Sequence, residues 1–508
     1  MASVSAPNRR RPIGYLALRD IFRLGVPSPH VESYVGPGAR RTKIEGHRIT
    51  ELYPNRYAPA NDTPVAHLTF ALRHEPVNLS ILVEALKAMA PADLEGWIRR
   101  EPTGAHSRRA WFFYETFTGR TLDVPDASAG NYVEALNPKK HLVTDRRDSP
   151  RHRVIDNLLG DHGMCATVRR TERLDARLSQ RLEDEARALT AHYDEATLAR
   201  AVSFLYTKET RSSFAIEGET PSANRTERFV AALKRAPAFD PSNKAGLLRL
   251  QGLIVDPRYA AKDWRTFQNF VGETVGHHRE DVHFVSPKPE DVPDLMNAWM
   301  RMTVRLVGSS GLHPIVAAAV SSFAFVFIHP FEDGNGRIHR FLIHHILAKR
   351  GFGPPGVIFP VSAAILRDQR RYNEALETFS SPLFDFIEWR FTSDQEIVVL
   401  NDTANLYRYF DATPLVEYLS DRVADTIRID LREELDFVQT YDRALAAIRD
   451  IVDMPDRRAS LLVRLCLQNG GRLSNTKRGL FSELSDMEVG QMEAAVQRVM
   501  ETGARRDG

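Results

Sequence analysis

The chain has 508 residues, more than one domain usually holds, so two or three domains are expected. Its composition, 43% hydrophobic and 26% charged, suits a packed protein and excludes a largely disordered one. With 68 basic against 66 acidic side chains the net charge is +2, which gives no global nucleic-acid or membrane signal. Two cysteines, Cys165 and Cys466, provide neither a disulfide framework nor a metal set.

In chain order, residues 1–40 hold Arg9-Arg10-Arg11 and several Pro and Gly, and read as a flexible tail. Residues 41–160 read as an accessory domain to which no chemistry can be assigned. It contains a helix over Leu79–Met89 after an Asn78 cap and a buried helix around Trp111, Tyr114 and Phe117. Residues 161–220 form a helical segment, with one long amphipathic stretch from Leu182 to Ile216 closed by Gly218. In the core segment, 221–395, Val282–Ser286 has strand character that Pro287 and Pro289 end, and Glu273–Asp281 is a polar insert. A helix from about Pro293 to Val307 follows. The run Ile315–Ile328 is apolar but too short to span a bilayer, so it reads as a buried central helix. Residues 396–508 are mostly helical. Three helices with a Gly470-Gly471 turn near the end suit a winged-helix or helix-turn-helix-like bundle, in which Glu483, Asp486, Glu488 and Glu493 dilute the basic Lys477 and Arg478. No apolar signal region stands near the N-terminus, and the expected location is cytoplasmic.

The chemistry concentrates in His329-Pro-Phe-Glu-Asp-Gly-Asn-Gly-Arg-Ile-His-Arg340. Gly334-Asn335-Gly336 is a small-residue turn ahead of helically spaced apolar residues, so it stands at a helix N-terminus, where free N–H groups and the dipole favour phosphate. Arg337 and Arg340, three apart, share one helix face and can grip one phosphate chain bidentately. Asp333 can hold Mg²⁺, which takes further ligands from phosphates and water. His329 is the natural general base. A lone His after an apolar helix is more often structural, and a lone Gly-Asn-Gly is more often a turn. Their joint occurrence in one window favours a polyphosphate site.

The string resembles the Fic family signature, His-Pro-Phe-x-Asp/Glu-Gly-Asn-Gly-Arg-x-x-Arg, at every fixed position. The resemblance implies a mainly α fold, a Fic-type helical core with a β-hairpin flap, flanked here by N-terminal and C-terminal accessory domains. It implies transfer of AMP from ATP to a Ser, Thr or Tyr hydroxyl of a target protein, with Mg²⁺ or Mn²⁺. His329 would deprotonate the hydroxyl and Asp333 would hold the metal. Gly334, Asn335 and Gly336 would form the anion hole, Arg337 and Arg340 would hold the β- and γ-phosphates, and Phe331 would anchor the loop. Ser213-Phe-Ala-Ile-Glu217-Gly218 resembles the family's inhibitory motif, placed N-terminal to the core. It implies that Glu217 pairs with Arg340 and blocks productive γ-phosphate binding. In some members the same Glu also supports removal of AMP. The flap is expected between Trp264 and Pro289, reading target backbone by strand addition. Tyr372 is the candidate to border the adenine.

Other readings stay open. The core could be an idle regulator that binds protein or DNA, or it could transfer a different nucleotide or a phosphocholine. Zinc hydrolysis through His339, His344 and His345 lacks the i, i+4 His pair with an intervening Glu. The expected partner is a target protein, with a homo-oligomer as a further option, no nucleic acid and no membrane.

Overall fold

The computed structural model describes residues 10–46, 48–275, 279–394 and 396–504. The fold is mainly α, with five small sheets among the described residues. The chain divides into two compact units. The first comprises residues 1–181, 213–352 and 365–422, the second residues 182–212, 353–364 and 423–508.

In the first unit, residues 10–40 are built structure rather than the expected tail. Arg11–Ile13 and Val31–Gly36 are strands of a four-stranded sheet, and Tyr15–Phe22 is a helix between them. The reason is an apolar stripe that Pro and Gly content obscured: Ile13, Tyr15, Leu16 and Leu18 are buried. The Tyr15 amide also donates to the buried Glu75 carboxylate (2.9 Å). The expected helices at 79–88 and 105–118 are present, the former capped by Asn78, which accepts from the Ile81 amide (3.0 Å). Segment 41–160 shares its interactions with the core. Asp156 pairs with Arg305 of helix Val292–Gly308 (2.7 Å), and Asp145 accepts from the Ser310 and Gly311 amides. Strand Cys165–Thr167 lies parallel to Tyr409–Asp411.

Helix Pro314–Ile328 is apolar on every side, and all but two of its fifteen residues are fully buried, as an all-round apolar helix must be. Its serines are the informative positions. The Ser321 hydroxyl lies 2.7 Å from that of Thr303, and its carbonyl accepts from the Trp299 indole (2.8 Å), which locks this helix to Val292–Gly308. After the loop 329–334 the chain re-enters helix Asn335–Lys349, which packs against the central helix. Phe331 fixes the connecting loop. It is fully buried, with ring centroids of Trp264 and Phe325 at 5.2 and 6.3 Å.

The expected long stretch 182–216 is two helices, Leu182–Thr190 and Glu195–Ala215. A turn containing Asp194 breaks it, and the Asp194 carboxylate accepts from the Thr197 amide (3.0 Å). The second unit ends in a bundle of helices 432–449, 456–468 and 486–504, with a short helix at 475–478. Its core includes Ile448, Leu462, Val463, Cys466, Phe481 and Met492. No strands occur among the described residues of 432–504, so the helix-turn-helix-like set has no β wing there. Arg478 is committed internally, donating to the Phe481 and Leu484 carbonyls and pairing with Asp486.

Truncating the loop anchor should be costly. Phe331→Ala should lower the first unit's unfolding midpoint in urea by the equivalent of ~3–5 kcal/mol. An unchanged midpoint would mean that Phe331 does not anchor the loop.

Candidate functional site

The site forms where the central helix ends and the next begins. His329 closes the first helix in the left-handed region (φ 52°), a conformation that costs a non-glycine residue about 1–2 kcal/mol. The surroundings hold it there. Buried Arg265 donates from Nε to the His329 carbonyl (2.8 Å) and from Nη2 to the Pro287 carbonyl (2.6 Å), while its amide donates to the Pro330 carbonyl (2.9 Å). The imidazole is half-buried, with Nδ1 3.2 Å from the Val326 carbonyl. A carbonyl can only accept, so Nδ1 carries the hydrogen and Nε2 keeps its lone pair. Burial pulls the His329 pKa down to about 4, which keeps the ring neutral and basic at Nε2.

Gly334 (φ 91°) turns the chain into the second helix. Asn335 clamps the loop with its side chain, accepting from the Phe331 amide (3.0 Å) and donating to the Phe331 carbonyl (2.8 Å). Its side chain is thereby committed to the loop, which leaves its backbone N–H as the group it could offer an anion. Buried Gln251 adds a brace, donating to the Asp333 carbonyl (3.3 Å). At Gly336 a Cβ would stand 2.4 Å from Glu217 Oε1. Only glycine leaves room for an anion this close to the helix start, and the anion there is Glu217.

Helix Glu195–Ala215 ends immediately before Glu217. Gly218 turns left-handed (φ 71°), and the amides of Glu217 and Glu219 both donate to the Phe214 carbonyl. This turn aims Glu217 at two guanidiniums. Oε1 accepts from Arg340 Nη2 (2.8 Å), and Oε2 lies 2.7 Å from Arg337 Nε, an ion pair not aligned as a hydrogen bond. The resemblance implied Arg340 alone, but here one carboxylate faces both arginines. Ser213 supports Arg340 with its hydroxyl (2.9 Å) and its carbonyl (2.7 Å). Arg337 and Arg340 are essentially fully buried, at 0% and 1% exposure.

Asp333 Oδ1 accepts from the Gly334 amide and from Arg337 Nη2, both at 2.6 Å, and its side chain is 46% exposed. A half-exposed carboxylate beside a phosphate-sized anion position fits a divalent cation that completes its shell with phosphate oxygens and water. Among the described residues, the one group of acidic, His or Cys side chains close enough to share an ion is Glu217, Glu219 and Asp333. The histidines of the zinc reading do not assemble. His339 packs on Phe323 (4.6 Å), and His345 Nδ1 meets the Ala236 carbonyl (2.7 Å). Tyr372 is buried near His339 and Tyr418, and burial raises its pKa while the positive charge of Arg340 opposes that rise.

The flap is an antiparallel hairpin of Phe270–Val275 and Arg279–Val285, with a register shift between Val282 and Phe284. The described parts of the expected insert 273–281 are its outer strands, and residues 276–278 lie outside the described residues. Tyr407 donates to the Val285 carbonyl (2.6 Å) at its base. Arg265, Gln251, Glu219 and Arg225 were not singled out from sequence. Glu219 stands two residues after Glu217, and Arg265 follows Trp264. The bonds that join Arg265 to His329, Gln251 to Asp333 and Glu219 to Arg337 link segments distant in the chain, which periodicity cannot reveal.

The Fic/DOC family profile matches residues 242–347. Curated relatives named protein adenylyltransferase Fic include one from Nematostella vectensis, 30% identical over 32% of this chain and 42% of its own length. Another, from Aedes aegypti, is 29% identical over 52% of this chain and 60% of its own. The chain thus spans about half the length of the curated relatives it matches. Among solved structures, a Fic family protein from Desulfovibrio desulfuricans aligns with a TM-score of 0.38 and 20% identity, over 61% of this chain and 88% of that one. A Fic domain containing signaling protein from Bacteroides thetaiotaomicron aligns with a TM-score of 0.37 and 20% identity, over 51% and 96%. Residues 242–347 thus match the Fic/DOC family model, and every fixed position of the signature stands within them at the helix junction.

Proposed function

We propose that the chain is an autoinhibited protein adenylyltransferase that moves AMP from ATP to a hydroxyl side chain of a target protein. The observation that carries this reading is the Glu217 carboxylate seated between Arg337 and Arg340, against Gly336 at a helix N-terminus. A site that holds a carboxylate there is built for an anion.

In the reaction, neutral His329 takes the proton of the target hydroxyl at Nε2. The hydroxyl oxygen bonds to the α-phosphorus, the bond to the β-phosphate oxygen breaks, and pyrophosphate leaves. The helix N–H groups beside Gly336 receive the α-phosphate oxygens, and Arg337 and Arg340 hold the leaving phosphates. Positioning and charge stabilisation supply the rate. Mg²⁺ or Mn²⁺, held by Asp333, would neutralise phosphate charge. The hairpin would align the target segment by strand addition. Glu217 opposes all of this by occupying both arginines and placing a like charge where phosphate must sit.

Wild type, Glu217→Gly and Glu217→Gly/His329→Asn proteins should be incubated with α-labelled ATP and Mg²⁺, and labelled protein read by mass. Asn tolerates the left-handed backbone at 329 and so separates lost chemistry from lost folding. AMP-mass label should rise on the order of tenfold or more for the single variant and vanish for the double one, with ATP binding retained. Label that is equal for wild type and Glu217→Gly would overturn the inhibition. Absence of label on every protein would overturn the transferase. Arg340→Ala should be inactive whether or not Glu217 is present.

The acid limb provides a further check. With its pKa lowered to about 4, His329 stays neutral where a free imidazole protonates, at roughly pH 6.5. The kcat/KM of the Glu217→Gly protein should therefore show no His-type limb near that pH and should fall only towards pH 4. The unfolded chain binds this proton first, so the same window costs stability as pH falls. A limb near pH 6.5 that disappears in His329→Asn would contradict the buried environment.

A further inference from the structure

Removing Glu217 does not free Arg337. We propose that Glu219 is a second carboxylate lock on the phosphate site, acting through Arg337 and independent of Glu217. This deepens the reading above and rests on its assignment of Arg337 and Arg340 to the leaving phosphates.

Glu219 Oε1 lies 3.2 Å from Arg337 Nη2, and Oε2 accepts from Arg337 Nη1 at 3.5 Å. Oε2 also pairs with Arg225 Nη2 at 2.9 Å. Arg225 and Arg337 stand over the ring of buried Phe214, with guanidinium carbons 4.8 and 5.0 Å from its centroid. Glu219 joins these two cations, and its amide, bonded to the Phe214 carbonyl (3.1 Å), fixes where its side chain starts. Its side chain is only 34% exposed, so solvation of a loop end does not describe it.

Charge decides the consequence. Three guanidiniums (Arg225, Arg337 and Arg340) face three carboxylates (Glu217, Glu219 and Asp333), and the cluster is neutral. An incoming triphosphate meets no net positive field. Deleting Glu217 exposes Arg340 but leaves Arg337 facing Glu219 and Asp333. Asp333 is the residue assigned to the metal; Glu219 lies within reach of the same ion but is committed to Arg337 and Arg225, and Glu219→Gln keeps an oxygen there while removing the charge that faces Arg337. Glu219 thus limits how tightly the unlocked site grips the phosphate tail.

The test compares wild type, Glu217→Gly and Glu217→Gly/Glu219→Gln by calorimetric titration with ATP and, separately, with AMP in Mg²⁺ buffer. The double variant should bind ATP on the order of tenfold more tightly than Glu217→Gly, equivalent to ~1.4 kcal/mol. AMP lacks the β- and γ-phosphates that Arg337 would hold, so its affinity should stay within about twofold, a smaller step than that tenfold unit. ATP affinity equal in the two variants would overturn the second lock. An equal gain for ATP and AMP would overturn it as well, since that would report general loosening of the site. If Glu217→Gly gains neither ATP affinity nor AMP label over wild type, the inhibitory reading of Glu217 fails, and that outcome is distinct from failure of Glu219 alone.

Discussion

Two guanidinium groups sit almost without solvent on one turn of helix Asn335–Lys349, and the site is organised by their need for an anion. A buried cation that loses its partner costs several kcal/mol, so Arg337 and Arg340 must always be matched. In this structure the match is internal, through Glu217, Glu219, Asp333 and the Ser213 oxygens. A polyphosphate would be the external alternative. The site can exchange one set of anions for the other, but it cannot stand empty at low cost.

This exchange is useful only if the arginines keep their place while anions change. The loop beneath them is pinned from several directions. Asn335 holds Phe331 at both backbone atoms, Phe331 fills the core against Trp264, and Gln251 supports the Asp333 carbonyl. Arg265 does more than brace. By bonding carbonyls at 287 and 329 it ties the base of the hairpin to the residue that bears the imidazole. A target strand laid on the hairpin and the base that would deprotonate it are therefore referenced to one buried side chain. That shared reference is how a backbone-reading flap could present a hydroxyl to within hydrogen-bond reach of Nε2.

What was legible in the sequence follows the range of the interaction. The apolar run 315–328 and the turn Gly334-Asn335-Gly336 are local, and the helix junction they describe is present. The left-handed conformation of His329 was not legible. Residue type argues against it, and it exists because distant Arg265 holds its carbonyl. Residues 10–40 read as a tail because Pro and Gly recur through them, while the stripe of Ile13, Tyr15, Leu16 and Leu18 that buries them is short. The stretch 182–216 misled because a polar turn at Asp194 can hide inside an amphipathic pattern. Glu217 was found through a resemblance. Its bridging of two arginines is a fact of three-dimensional distance, and so is the place of Tyr372 between His339 and Tyr418.

The strength of the internal match bears on what kind of switch the proposed lock would make. The carboxylates are not deeply buried: the side chains of Glu217 and Glu219 retain 25% and 34% exposure while the arginines retain almost none. Water therefore competes for the anionic partners far more than for the cationic ones, so a carboxylate leaves at modest cost only when another anion takes its place on the arginines. The arginines provide a rigid, desolvated half, and the carboxylates a half that can leave. A ligand in about hundredfold excess over its Kd supplies ~2.7 kcal/mol, which can tip an exchange in which one set of anions replaces the other. An anion lock made this way shifts with modest free energy. That is the property required of a device that restrains an enzyme without destroying the site it restrains.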